Sequence, residues 1–574
     1  MKSWPFFLLM ALSFPVLAAE KPPGVAGNGA TDDTNALQIA LDGVGKTGGT
    51  LELPPGQYLL RGALKIPSGV TLKGSWDAPH HGAYDKGSTL LITGGRGDEN
   101  ASPSITLQQS SALIGFTLLW PEQKWPDIVP YPWAIQGVGM HNTVDNVTFV
   151  NAYNGIRIGN IASSELHLIR NVFGCVLRRG VFVDSTTDIG RLENVHFNPH
   201  YWNRSGHASR PAGVDNPDMA VARYMADNLE AFIFGRTDWE YVANCFVFAA
   251  KIGYRFIKTP AGACNGQFMG IGADYCRTGL QIDEIQDIGI QVTNGEFTSF
   301  SGEPNLGIAT SPGAGGAAQF VNCNFWSTSG GAARLQGDTA VTFGDCHFMD
   351  APKTGTINAE RGKLIVRGCN FSKAGLAIVL KPGVKTALIT GNLQPAGLQV
   401  QNEIGTRAQI GFNEEPIELP AAQILHYRLK IGTKGDEEYA IAGWQGQEPS
   451  PEAPRESGSQ SARWTTGNTR LQLPAKSGTA YTLKLWASLP KGAPPQIVAV
   501  TGGPTATLKE GPQAITLQIP AAERKTLEVT ISGPTWQPSK LQPPLTDTRE
   551  LGARVYAVEM TAAGAENTAP SDLN

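Results

Sequence analysis

A tetrapeptide of one shape, Asn194-Val195-His196-Phe197, returns along the chain at a near-constant interval, and no other feature restricts the fold as much. Its echoes are Asn146-Val147-Thr148-Phe149, Asn171-Val172-Phe173-Gly174, Asn265-Gly266-Gln267-Phe268, Asn294-Gly295-Glu296-Phe297, Asn322-Cys323-Asn324-Phe325, Asp345-Cys346-His347-Phe348 and Gly368-Cys369-Asn370-Phe371. The last three lie 23 residues apart, which aligns Cys323, Cys346 and Cys369 in one column and Phe325, Phe348 and Phe371 in another. Short β-prone stretches repeated every 23 to 29 residues describe a solenoid in which each coil packs on its neighbours. Side chains alternate along a strand, so His196, Gln267, Glu296, Asn324, His347 and Asn370 are expected to form one outward polar stripe.

The chain has 574 residues, 67 of them Gly and 39 Pro, with 17% charged and a net charge of −4. This fits many tight turns and gives no basic surface for nucleic acid. Met1 to about Ala19 reads as a secretory signal, with Lys2, an apolar run from Phe6 to Leu17 and a small-residue site at Val16-Leu17-Ala18. Export to the periplasm or medium is expected, with no later membrane span. Seven cysteines cannot all pair. The in-step column is expected to hold buried, unbridged thiols, and with no CxxC or His cluster neither a metal nor a cofactor is expected.

Near the N-terminus come Gly27-Asn28-Gly29-Ala30-Thr31-Asp32-Asp33-Thr34, an amphipathic segment from Ala36 to Leu41, and Gly48-Gly49-Thr50-Leu51-Glu52-Leu53-Pro54-Pro55-Gly56. Leu64-Lys65-Ile66-Pro67-Ser68-Gly69-Val70-Thr71-Leu72 follows. Asp32 or Thr34 can cap the short helix, which would close the open end of a solenoid. This order of motifs resembles the entry segment of the pectate-lyase-like superfamily, right-handed parallel β-helices that include rhamnogalacturonase-type and family 28-related glycosidases. The resemblance implies an all-β chain, a right-handed parallel β-helix over residues 20–420, and a polysaccharide or oligosaccharide substrate. It leaves the reaction open, because fold does not set chemistry.

A second set of strands places Arg157, Phe182, Ile233, Arg255, Gln281 and Arg334 outward, with Asp283 two residues beyond Gln281. The stripe leans basic, and its sharper reading is a groove for an anionic chain bound by Arg forks. One coil is swollen by an insertion at 198–231, which carries His200, Tyr201 and Trp202 and then a helix opened by Asn216-Pro217-Asp218. Met219, Ala222, Met225, Ala226 and Leu229 recur at helical spacing and should pack that helix down on the solenoid. The chain returns through Arg236, Asp238, Trp239, Glu240 and Tyr241. From 425 to 562 the pattern becomes antiparallel and suggests a β-sandwich, followed by a disordered tail at 563–574.

Family 28 polygalacturonases need Asn-Thr-Asp, Asp-Asp, Gly-His-Gly and Arg-Ile-Lys, and only Tyr254-Arg255-Phe256-Ile257-Lys258 comes near the last. The Trp-x-Asp-His and Arg-Pro-x-x-Arg segments of calcium-dependent pectate lyases are absent. Asn198-Pro199-His200 resembles the Asp-Pro-His of alginate epimerases without its acid. Glycoside hydrolysis needs two carboxyl groups across the bond, and Asp238, Glu240, Asp274 and Glu296 fall on consecutive coils around the insertion. Trp239 with Tyr241, or Tyr201 with Trp202, could stack on sugar rings, with Arg236, Gln267 and Gln281 at hand. A hydrolase is the leading expectation. Second comes a lyase or epimerase for a uronate glycan, drawing a base from Arg255, Lys258, Tyr241 or His200, and third a non-catalytic polysaccharide-binding β-helix. Glu296 has the cleanest case for the general acid, since burial under the insertion would raise its pKa.

Overall fold

The computed structural model describes residues 20–159, 162–414, 424–565 and 568–573. The proposed secretory segment lies outside them. The chain forms a parallel β-solenoid of about 15 turns followed by an antiparallel sheet. Its contacts divide it into two compact units, Met1–Pro304 with Ala314–Ala317, and Asn305–Gly313 with Ala318–Asn574.

In the first unit each coil has three faces, where two outward stripes were expected. The first face stacks Leu168, Arg191, Tyr241, Gln267 and Gln291 in register. The second stacks Thr148, Phe173, His196, Phe246, Gly272 and Glu296. The third stacks Gln136, Arg157, Phe182, Ile233, Arg255 and Gln281. Between the first and second faces the chain turns sharply through the left-handed region at Asn146, Asn171, Asn194, Asn244 and Asn294. Asn tolerates that conformation because its short amide can bond locally; Asn194 Nδ2 donates to Asn171 Oδ1 at 2.9 Å. The repeating tetrapeptide is thus a corner, an inward residue, an outward residue and an inward Phe or Val.

One echo is false. Asn265 does not sit at this corner: its Oδ1 accepts the Trp239 N–H at 2.6 Å, and Phe268 aligns with Val242 and Val292 on the first face. The corner of that coil is Gly270, with φ of 61°. Gln267 therefore leaves the stripe of His196 and Glu296, and Phe246 and Gly272 stand between them instead.

Helix α1 (Thr34–Gly45) buries Leu37 and Leu41. Its N-cap residue is Asp33, whose carboxylate turns away to accept the Ala26 and Gly27 N–H groups at 2.6 and 3.0 Å. Asp32 bonds the Thr34 N–H at 3.1 Å. The insertion holds a short helix α2 (His200–Asn203) and α3 (Pro217–Asn228). Asn216 caps α3 through the Met219 N–H, as its sequence predicts, and Val221, Ala222, Met225 and Ala226 are buried. Aromatic ladders fill the interior, among them Phe232 on Tyr254 at 4.8 Å and Phe234 on Phe256 at 5.4 Å between ring centroids.

In the second unit Phe325, Phe348 and Phe371 stack at 4.9 and 4.8 Å, and Asn324, His347 and Asn370 stand in register. All seven cysteines are buried and free. The C-terminal strands make one ten-stranded sheet curled close to a barrel rather than two stacked sheets. Arg554–Ala562 is its hub, paired antiparallel with His426–Lys430 and Tyr481–Leu489. Within the stretch expected to be disordered, Ser571 and Asp572 pair with Tyr427 and Arg428, and Lys430 bonds Asp572 at 2.7 Å. Among the described residues no helix is long and apolar enough to cross a membrane.

Candidate active site

The four acids named from sequence go to three environments. Glu240 points inward, because Tyr241 takes the outward position and alternation leaves no other choice. It meets His167 at 2.9 Å with both side chains fully buried. The neighbouring coil has Gly190 at this point, and a Cβ there would collide with the His167 ring. Glu240 is therefore a core residue out of reach of any polymer, a correction to its place among the surface acids.

Asp238 lies at the corner between the third and first faces, ion-paired with Arg236 and bonded by Gln286 and Asn265 at 3.2 and 3.3 Å. Burial pushes its pKa up, but bonds from Arg236, Gln286 and Asn265 outweigh that and hold it below the ordinary value. It is a locked carboxylate, ill suited to give a proton. On the first face the Arg191 guanidinium lies 5.8 Å from the Tyr241 ring centroid, Gln267 bonds Gln291 at 3.4 Å, and Trp239 occupies a left-handed turn.

The third face gathers Arg157, Arg255, Gln281 and Asp283. Arg255 is clamped between Glu230 and Asp283, each at 2.8 Å, and Gln281 donates to Asp283 at 3.1 Å. Glu230, not anticipated from sequence, completes this ion-paired cluster. Arg157 donates to the Gln136 side-chain oxygen Oε1 and packs against Trp133, 5.7 Å from its ring centroid.

The second face brings Asp274 and Glu296 together. Gly272 pairs directly with Glu296, so Asp274 stands on the adjacent coil two positions along the strand. Burial raises the Asp274 pKa; the Tyr275 N–H opposes this and the negative charge of Glu296 reinforces it. One of its oxygens, Oδ1, is buried without a hydrogen-bond partner among the described residues. Gly272, in register with Glu296, lets the Phe246 ring lie over the strand, since a Cβ there would strike that ring. Phe246 and Phe248 precede the acids on the adjoining strand, Tyr275 stacks on Phe248 at 5.5 Å, and Phe300 meets Tyr275 edge-on at 5.1 Å.

One end of this strip is walled. His196 lies between Phe173 at 5.6 Å and Phe246 at 5.0 Å, and Tyr201 packs on both His196 and His81. Burial, with His200 and His81 adding to it, pushes His196 down to about 4, so its ring is neutral at pH 7. Tyr201 is nearly buried and Trp202 wholly so, with the Trp202 indole N–H bonded to Ser209 at 3.2 Å. Trp202 builds the wall and cannot stack on sugar, contrary to its sequence-based role. His200 is held by Asp218 at 3.3 Å and by Arg204 at 3.1 Å. Helix α3 ties to the strand behind Asp274 through the Asp227–Arg277 ion pair.

Residues 21–121 match the family model described as rhamnogalacturonase A/epimerase, pectate lyase-like. The match of this entry segment, together with the parallel solenoid that it opens, supports the pectate-lyase-like β-helix superfamily. No match was found among curated proteins. Solved structures similar to this chain include the tailspike of E. coli bacteriophage HK620 bound to a hexasaccharide, at TM-score 0.37 and 10% identity over 93% of this chain and 90% of that one. The surface adhesin PfbA of Streptococcus pneumoniae follows at 0.30 and 15%, over 69% and 95%. The DFA-IIIase of Arthrobacter chlorophenolicus A6 stands at 0.33 and 14%, over 68% and 89%. At these values each likeness is one of solenoid architecture alone.

Proposed function

We propose that this protein is an exported glycoside hydrolase that cleaves a polysaccharide on the second face of its solenoid. The family match supports a carbohydrate-active protein, and one observation carries the hydrolytic reading. Asp274 is a carboxyl group whose pKa is raised by burial and by a second carboxylate, Glu296, on the next coil. Two acids with distinct environments divide the labour of acid and base. Asp274 acts as the acid and delivers its proton to the leaving glycosidic oxygen, while Glu296 acts as the base and activates a water on the opposite side of the sugar ring. Adjacent coils and a two-residue offset separate the two backbones by about 8 Å, from a spacing of ~4.8 Å between strands and ~3.3 Å per residue. That favours inversion over the closer approach of about 5 Å that retention requires. Phe246, Phe248 and Tyr275 supply aromatic surface for the sugar faces. Reducing-end assays on a glycan panel should detect release of new ends without unsaturated-product absorbance, and proton NMR should show the inverted anomer first. New C=C absorbance would transfer the chemistry to the runner-up.

That runner-up is a lyase or epimerase acting on a uronate glycan along the third face, and Arg157 is what favours it. Its guanidinium is half-buried against Trp133 and bonds Gln136 but no carboxylate among the described residues, so it can accept a substrate carboxylate. Burial and the nearby Arg179 lower its pKa, a destabilisation of the cation that an anionic ligand would relieve.

A further inference from the structure

The C-terminal sheet contains a cavity of about 550 Å3, within the range of ~300–1,000 Å3 typical of small-molecule sites. Its walls are apolar and rigid: Trp464 and Trp536 meet edge-to-face at 5.5 Å, flanked by Pro490, Pro512 and Pro538. Both indoles are fixed, Trp464 by Glu448 at 3.1 Å and Trp536 by the Gly552 carbonyl at 2.8 Å. Planar charged groups line the same cavity. Arg549 bonds Asp547 and Glu448, each at 2.8 Å, and Arg554 pairs with Glu452 while lying 5.4 Å from the Trp464 ring centroid. The Arg554 Nε–H is buried and has no acceptor in the protein among the described residues.

We propose that this cavity is a saccharide-binding site, separate from the Asp274–Glu296 pair. Both guanidiniums already hold carboxylates, so the cavity offers no free cation to select a simple anion. A purely aliphatic guest would strip water from those polar groups and give nothing back. A pyranose satisfies both requirements: its C–H face packs on an aromatic ring, and its adjacent hydroxyls each donate and accept, matching carboxylate and guanidinium edges.

The test uses the full-length chain carrying Asp274→Asn, so that ligands are not turned over, titrated calorimetrically with cellohexaose, xylohexaose, hexagalacturonate and, as a control, hexaproline. At least one of the three oligosaccharides should bind, and Trp464→Ala should weaken that event tenfold or more. Arg549→Ala changes only a surface side chain; it should weaken binding three- to tenfold with an unchanged melting temperature. Binding of none of the three, binding indifferent to both substitutions, or tighter capture of hexaproline through the same residues would overturn the proposal. Because the hydrolytic reading is judged by turnover with both residues of the pair intact, either claim can fail alone.

Discussion

The second and third faces of the first solenoid unit are built from the same coils, yet they treat their carboxylates in opposite ways. On the third face Glu230 and Asp283 share Arg255, and the three charges satisfy one another. On the second face Asp274 has a buried oxygen with no partner among the described residues and a second acid nearby. Ion pairing holds a carboxylate in its charged form, whereas burial beside like charge favours the proton. The contrast shows that counting acids on a face says little about catalysis; what surrounds each one decides whether it can give up a proton near neutral pH.

The largest effect expected from this contrast is on turnover. Asp274→Asn and Glu296→Gln should each lower kcat at least 10²-fold with little change in fold, while Asp283→Asn and Glu230→Gln should cost less than tenfold. Steady-state assays of the four variants side by side decide the matter, and the reverse order would relocate the chemistry to the third face. Next is the interior pair: Glu240→Ala leaves the fully buried His167 without its partner and should destabilise the first unit by about 1–3 kcal/mol. Thermal unfolding should show a lower Tm, with kcat unchanged well below the transition.

A smaller effect tests the raised pKa of Asp274 directly. The folded state holds this proton more tightly than the unfolded chain does, so the contribution of Asp274 is fully present below its ordinary pKa of 3.8 and is lost as pH rises through the folded value. Asp274→Asn removes that loss, and its Tm should equal or exceed that of the wild type at pH 7 but not at pH 3.5. The same titration places the alkaline limb of the rate profile at the folded pKa. Smallest is the effect of Arg157→Ala: binding of hexagalacturonate should weaken a few-fold at low salt and converge with wild type at high salt, as screening of a partly exposed charge requires.

Much of the solenoid was legible because its corner constrains both composition and spacing. Asn at a left-handed turn, followed by inward, outward and inward residues, can be read from letters alone, and so could the Cys323–Cys346–Cys369 and Phe325–Phe348–Phe371 columns. The pattern misled at Asn265, where Asn-Gly-x-Phe imitates the corner while the true one is Gly270, a residue with no side chain to announce it. That single shift hid Phe246 and Phe248 and put Gln267 on the wrong face. Three faces rather than two could not be resolved without register, which scattered the Arg stripe, Tyr241 and Glu296 around the coil. The inward turn of Glu240 was implicit in the outward Tyr241. The burial of Trp202 was not, because an insertion with no periodicity does not reveal which of its aromatics lies underneath.

The insertion at 198–231 leaves no mark on the coils around it. His196 pairs with Phe246 and Phe182 with Ile233, as if the intervening segment were an ordinary turn. The corner between the second and third faces therefore works as a socket, where the length and content of a loop can vary without disturbing the registry of the strands on either side. Specificity can evolve, or be engineered, at that corner by exchanging one contiguous segment that ends at Phe197 and Glu230, while the strands carrying Asp274 and Glu296 stay in place.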